Sequence, residues 1–71
     1  MNTALLVVFA EHVSPPRVAG MLSGIQAYGS VAESAPRTFE VQVSRRSQLP
    51  PLQEQLVSWE RYGFLRWSVV R

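Results

Sequence analysis

The 71-residue chain contains no lysine, no aspartate and no cysteine, and it has a single histidine, His12. Each absence removes a class of chemistry. Without cysteine there is no disulfide, no thiol nucleophile and no cysteine-ligated zinc. Without aspartate there is no Asp-rich loop for a hard cation and no Ser-His-Asp triad. The charge that remains is of one kind for each sign, with seven arginines, five glutamates and a net charge of +2. A GC-rich genome yields such a composition. So does selection for planar, bidentate recognition of carboxylates or phosphates, which arginine performs and lysine does not. The mild positive excess permits contact with nucleic acid without demanding it. The inventory implies a non-catalytic protein with no cofactor and no metal site.

Long hydrophobic runs are also missing. The apolar opening from Met1 to Ala10 has no basic residues before it and is too short to cross a bilayer, so it reads as a strand of a cytoplasmic protein with no membrane partner. Hydrophobic content of 46% excludes a disordered chain. A single domain spanning residues 1–71 is expected, and a chain of this length buries only about 60% of the surface its unfolded form exposes. With no disulfide or metal to staple it, association with a second copy or a partner would add to a narrow stability margin.

Periodicity supplies the elements. From Thr3 to Ala10 both alternating sets are apolar, Leu5, Val7 and Phe9 on one side and Leu6, Val8 and Ala10 on the other. That pattern predicts a central strand covered on both faces. Ser14 before Pro15 and Pro16 predicts a helix start with a hydroxyl cap. The helix then runs to Tyr28, with Val18, Met21, Leu22 and Ile25 buried and Gly29 as its C-terminal cap. A short edge strand near Val31 and a turn around Ser34-Ala35-Pro36 follow. A clean alternating strand comes next, with Phe39, Val41 and Val43 inward and Thr38, Glu40, Gln42 and Ser44 outward. Pro50 and Pro51 start a second helix with Leu52, Leu56 and Trp59 inward, and Gly63 ends it. The last strand, Phe64 to Val70, buries Leu65, Trp67 and Val69. This order, β-α-β(β)-α-β, predicts an α+β ferredoxin-like sandwich with two helices on one face of a three- or four-stranded sheet.

Three groups of residues stand out as candidate sites. The outer face of the first helix is Gly20, Ser23, Gly24 and Ala27, all small, where exposed helix faces ordinarily carry long charged side chains. Close approach of a partner backbone would explain it, as would a weak helix tolerated as it stands. Arg17, Arg45 and Arg46 are the basic residues expected to meet a partner, and Tyr28 and Tyr62, each before a glycine at a helix end, are candidate anchors. Glu11 and His12 are the one adjacent pair with the character of a metal or acid-base site, against the plainer reading of a solvated strand end. The open sheet face inferred from the alternation lacks the aromatic platform that base stacking needs.

The segment Leu6-Val7-Val8-Phe9-Ala10-Glu11-His12-Val13-Ser14-Pro15-Pro16-Arg17-Val18-Ala19-Gly20-Met21-Leu22 resembles the opening of the small subunit of the CRISPR spacer-integration complex. Glu54 to Gly63, followed by a strand, is similar to that family's second helix and third strand. The resemblance implies a ferredoxin-like fold that dimerises and grips duplex backbone, with Arg17 at the matching basic position; Ala19 stands where a second basic residue would be. In size and character the chain also resembles small phage proteins that bind host RNA polymerase and inhibit transcription. The expected function is therefore a non-catalytic regulator that binds a larger nucleic-acid-processing machine, such as bacterial RNA polymerase, by protein contact. Its partner-binding residues would be Arg17, Gly20, Ser23, Gly24, Ala27, Tyr28, Arg45 and Arg46. A dimeric nucleic-acid-binding protein is the alternative, and a metal nuclease using Glu11 and His12 a third reading.

Overall fold

The computed structural model describes residues 3–70, in the order β1 (Thr3–Phe9), α1 (Pro15–Gln26), β2 (Ser30–Ala35), β3 (Thr38–Val43), a 3-10 turn (Arg46–Gln48), α2 (Leu49–Arg61) and β4 (Leu65–Val69). Arg71, expected to continue the last strand, lies outside the described residues. The strands form one antiparallel sheet in the order β2-β3-β1-β4. Both helices pack on one face, giving the ferredoxin-like α+β sandwich that the element order predicts.

Cross-strand register defines the core. Leu5 lies between Val41 and Val69, Val7 between Phe39 and Trp67, and Phe9 beside Leu65. Side chains paired in this way share a face. Onto that face α1 brings Val18, Met21 and Ile25, and α2 brings Leu52 and Leu56, with Val13 plugging the β1–α1 corner. Burial fades along the edge strand β4, from Leu65 at 2% exposed to Val69 at 53%. The expected burial of Val69 therefore fails, because an edge strand has a neighbour on one side only. Trp67 is half-buried, and its indole N–H is enclosed without a hydrogen-bond partner.

Other expectations change in physically informative ways. Strand β1 is central, but the helices cover only its Leu5–Val7–Phe9 side; Ala4, Leu6 and Val8 are half-buried on the other. Alternation reports that both sides are apolar and cannot report what covers them. Ser14 occupies the N-cap position of α1, yet its hydroxyl makes no cap bond; its carbonyl accepts the first helical N–H, from Val18 at 2.9 Å. The helix ends at Gln26, and Ala27 and Tyr28 form a closing turn. Gly29 has no positive φ and so is no left-handed cap. It is needed for a different reason: a Cβ there would run into the Gln42 carbonyl of β3.

The β2–β3 hairpin turns one residue later than expected, at Pro36-Arg37. Proline suits the first central position of a type II turn, and the second requires positive φ, ordinarily supplied by glycine. Here it is Arg37, at φ 62°. Its backbone carbonyl accepts the Phe9 N–H at 2.9 Å, and its guanidinium donates to the carbonyls of Ala10 at 2.8 Å and Val13 at 2.9 Å. Three hydrogen bonds offset the left-handed backbone, whose cost is about 1–3 kcal/mol.

Three substitutions test these roles by chemical denaturation. Gly29→Ala is expected to cost at least about 1–3 kcal/mol as an overpacking change, whereas Gly20→Ala, with open space around its Cβ, should stabilise by about 1 kcal/mol through helix propensity. Arg37→Gly relaxes the backbone but loses both guanidinium bonds, so a net loss of roughly 1–3 kcal/mol is expected. A neutral or stabilising Arg37→Gly would show that the side chain contributes nothing.

Candidate interaction site

Strand β1 and helix α2 run toward the same end of the sheet, and there the β1–α1 and α2–β4 corners meet. After β1, Glu11 and His12 form an exposed turn and Val13 drops into the core. Helix α1 then starts, with Arg17 in its first turn. On the other side α2 closes in a Schellman motif: the Gly63 N–H donates to the Glu60 carbonyl at 3.0 Å and the Phe64 N–H to the Trp59 carbonyl at 3.1 Å. Gly63 supplies the required left-handed residue at φ 77°. The Ala10 N–H donates to the Phe64 carbonyl at 2.9 Å, stitching the two corners together.

The result is a layered cluster centred on the half-buried Phe64. Its ring lies against Tyr62, with centroids 5.7 Å apart and planes 25° from parallel. The Arg17 guanidinium sits 5.5 Å from the Phe64 centroid, and the His12 ring is tilted at 6.5 Å. A hollow of about 190 Å³ is bounded by His12, Val13, Ser14, Arg17 and Phe64. Tyr62 is 71% exposed, the most open large hydrophobic side chain described. The cation–ring contact is worth about 0.5–1 kcal/mol at such a site and the ring pair about 0.5–1.5. Those energies matter less for stability than for order, since side chains already held in place lose less freedom on binding. Arg37, by bonding the Ala10 and Val13 carbonyls, fixes the turn that carries His12 and leads into Arg17.

The sequence-derived site residues divide over the molecule. Arg17 belongs to the cluster. Arg45 and Arg46 follow β3, which runs away from it, so they lie at the opposite end of the sheet, about 20 Å off for strands of six residues. They do not form one surface with Arg17. Gly20, Ser23 and Gly24 on α1 and Ala27 at its C-terminal end are exposed as expected, and nothing within the chain requires Gly24 to be small, because a Cβ there would make an ordinary 3.8 Å contact with the Trp59 ring. Tyr28 is half-buried and packs against the core, which leaves Tyr62 as the free one of the two tyrosines. Among the described residues no group of three or more His or Glu side chains gathers around a possible metal position, and no helix is long and apolar enough to cross a membrane.

Phe64 is the member that the linear pattern missed, and His12 was singled out beside Glu11 but not placed with Arg17 and Tyr62. Alternation assigned Phe64 to the open sheet face, but it precedes β4 and belongs to the Schellman turn, where strand alternation does not apply. The signal that could have found it is Tyr62-Gly63-Phe64, a glycine at a helix end with a ring on either side.

If the cluster is a surface arrangement and no part of the core, Tyr62→Ala and Arg17→Ala should each change stability by less than about 1 kcal/mol while shifting the ring resonances of Phe64 in NMR spectra. Gly63→Ala should cost more, because alanine is strained at positive φ.

Comparison of the chain with protein-family models, with curated proteins and with solved structures finds no match.

Proposed function

We propose that this chain is a small non-catalytic regulatory protein that docks through the Tyr62–Phe64–Arg17 cluster onto a larger nucleic-acid-processing machine and modulates it by protein contact. The carrying observation is Tyr62, 71% exposed and held against Phe64, with Arg17 over the other ring. Tyrosine and arginine dominate the residues that carry binding energy in protein interfaces, and they do so best when fixed in place before the partner arrives.

Charge favours a protein partner over a nucleic acid. Arg17 and Arg61 share this end of the molecule with Glu11 and Glu60, and all four are exposed. Carboxylates interspersed among the cations weaken the attraction to a phosphate backbone, which depends on how many phosphates Arg or Lys neutralises. A mixed field suits a protein surface whose acidic groups meet the arginines. The dispersal of Arg45 and Arg46 to the far end supports the same reading, since it leaves no continuous basic path. Bacterial RNA polymerase is the machine to test first, on the likeness of this chain to small phage inhibitors.

The test is affinity capture from bacterial lysate, with and without nuclease, followed by direct titration of purified RNA polymerase. A nuclease-resistant complex is expected, weakened at least about tenfold, or 1.4 kcal/mol, by Tyr62→Ala or Arg17→Glu and unchanged by Gly20→Arg. Loss of binding on Gly20→Arg with Tyr62→Ala silent would move the interface to the small face of α1. Capture that vanishes with nuclease would replace the protein partner with nucleic acid.

A further inference from the structure

We infer that the free edge of β4 binds an extended peptide segment of a partner protein, which adds a strand to the sheet beside α2. This surface is distinct from the Tyr62 cluster, and the inference stands without the docking reading. It rests first on where the backbone groups point. The Ala10 N–H donates to the Phe64 carbonyl at 2.9 Å, and the Val70 N–H to the Ala4 carbonyl at 2.8 Å. Residues of an antiparallel strand alternate between bonding one neighbour and facing away from it. Arg66 and Ser68 therefore face β1, like Phe64 and Val70, and Leu65, Trp67 and Val69 turn their N–H and C=O groups outward. Among the described residues no strand lies beyond them.

The two edges of the sheet differ. The pairing of β2 is broken between Glu33 and Ala35, and Glu33 puts a carboxylate on the helix side, opposite Phe39. A bulge and an inward charge are devices that keep an edge from pairing. Strand β4 has neither: its register with β1 is unbroken, it contains no proline, and its charged residue, Arg66, shares the open face with Val8. Apolar side chains collect beside it. Val57, Val69 and Val70 are three of the four exposed large hydrophobic residues described. Trp59 leans toward Gly24 of α1, so helix periodicity puts Gln53, Val57 and Glu60 on the opposite flank of α2, above the β4 edge. Glu60 borders Arg66 and Trp67 there.

These features select the occupant. Outward N–H and C=O groups at every second residue match the backbone of an extended chain, and alternate side chains of that chain fall over Val57 and Val69. The charges bordering the edge and flank, Glu11 and Glu60 against Arg61 and Arg66, nearly cancel. Recognition thus rests on backbone bonds and apolar side chains, which a nucleic acid does not supply. A second copy fits less well. Pairing β4 with itself about Trp67 sets the two Arg66 side chains diagonal on one face at about 8 Å, a like-charge contact that a segment of free sequence avoids.

The test is selection of a random dodecapeptide phage library on the purified full chain, followed by titration of the enriched synthetic peptides. Peptides with alternating apolar residues should be enriched, and on binding the amides of Leu65, Trp67 and Val69 should exchange more slowly with solvent. N-methylation of every second peptide residue should abolish binding, and N-methylation of the intervening ones should not. Val69→Pro removes an outward N–H without breaking the β1 ladder, and it should weaken binding at least about tenfold. Gly20→Ala should leave binding unchanged. Circular dichroism checks that each variant is folded, and if Val69→Pro is not, Val69→Lys and Val57→Glu read the same groove. Failure to enrich any peptide, or binding indifferent to N-methylation or to these variants, overturns the inference. So does a dimer of the free chain, seen by sedimentation equilibrium, that the edge variants dissolve, since the edge would then belong to a second copy.

Discussion

The bonds from Arg37 to the β1–α1 corner are the interaction on which the arrangement of this end of the molecule depends. One residue at a hairpin tip joins three elements: its carbonyl extends the β1–β3 ladder to Phe9, and its guanidinium satisfies the Ala10 and Val13 carbonyls where the chain leaves the sheet. A loop carbonyl shut away from water without a donor costs about as much as the bond it lacks. The Ala10 carbonyl also accepts the Val13 N–H at 3.2 Å; Arg37 adds a second donor there and supplies one to the Val13 carbonyl from a different loop. The position of Val13 in the core, the direction in which α1 departs and the placement of Arg17 over Phe64 all follow from that corner.

The arginines of this chain consequently have unlike tasks. Arg37 serves the fold, Arg17 lies on an aromatic ring, and Arg66 projects from the open face of an edge strand. Arg45 precedes and Arg46 opens the 3-10 turn that leads into α2, both exposed and far from Arg17. Lysine could not replace Arg17 equally, because its ammonium lacks the flat surface that lies on a ring. The lysine-free composition is thus at least partly used by the structure, whatever its genomic origin.

Much of the architecture was readable from the chain, and the reasons are local. The Phe39–Val41–Val43 alternation, the Val18–Met21–Ile25 stripe and the glycine at 63 each report a backbone geometry directly. What escaped was non-local. An arginine in a turn position normally held by glycine gives no sign that it reaches across to another loop. The two apolar sides of β1 look like a doubly covered strand until the helices are found on one side only. Arg17 and the Arg45-Arg46 pair seem equivalent in a list of cations, and only the up-and-down course of the strands sends them to opposite ends. The Tyr62–Phe64 stack depends on a Schellman closure whose glycine was recognised as a stop signal, without the consequence for its neighbours.

Of the five prolines, four stand in the first turn of a helix, at 15, 16, 50 and 51, and the fifth opens the hairpin turn at 36. Each has its φ set by the ring before folding begins, so the unfolded chain has fewer conformations to give up, an effect of about 0.4–1 kcal/mol where the native geometry is compatible. In small domains built with cysteine, cross-links restrict the denatured ensemble in this way. This chain has none, and stiffening at two helix starts and one hairpin turn acts on the same side of the folding equilibrium.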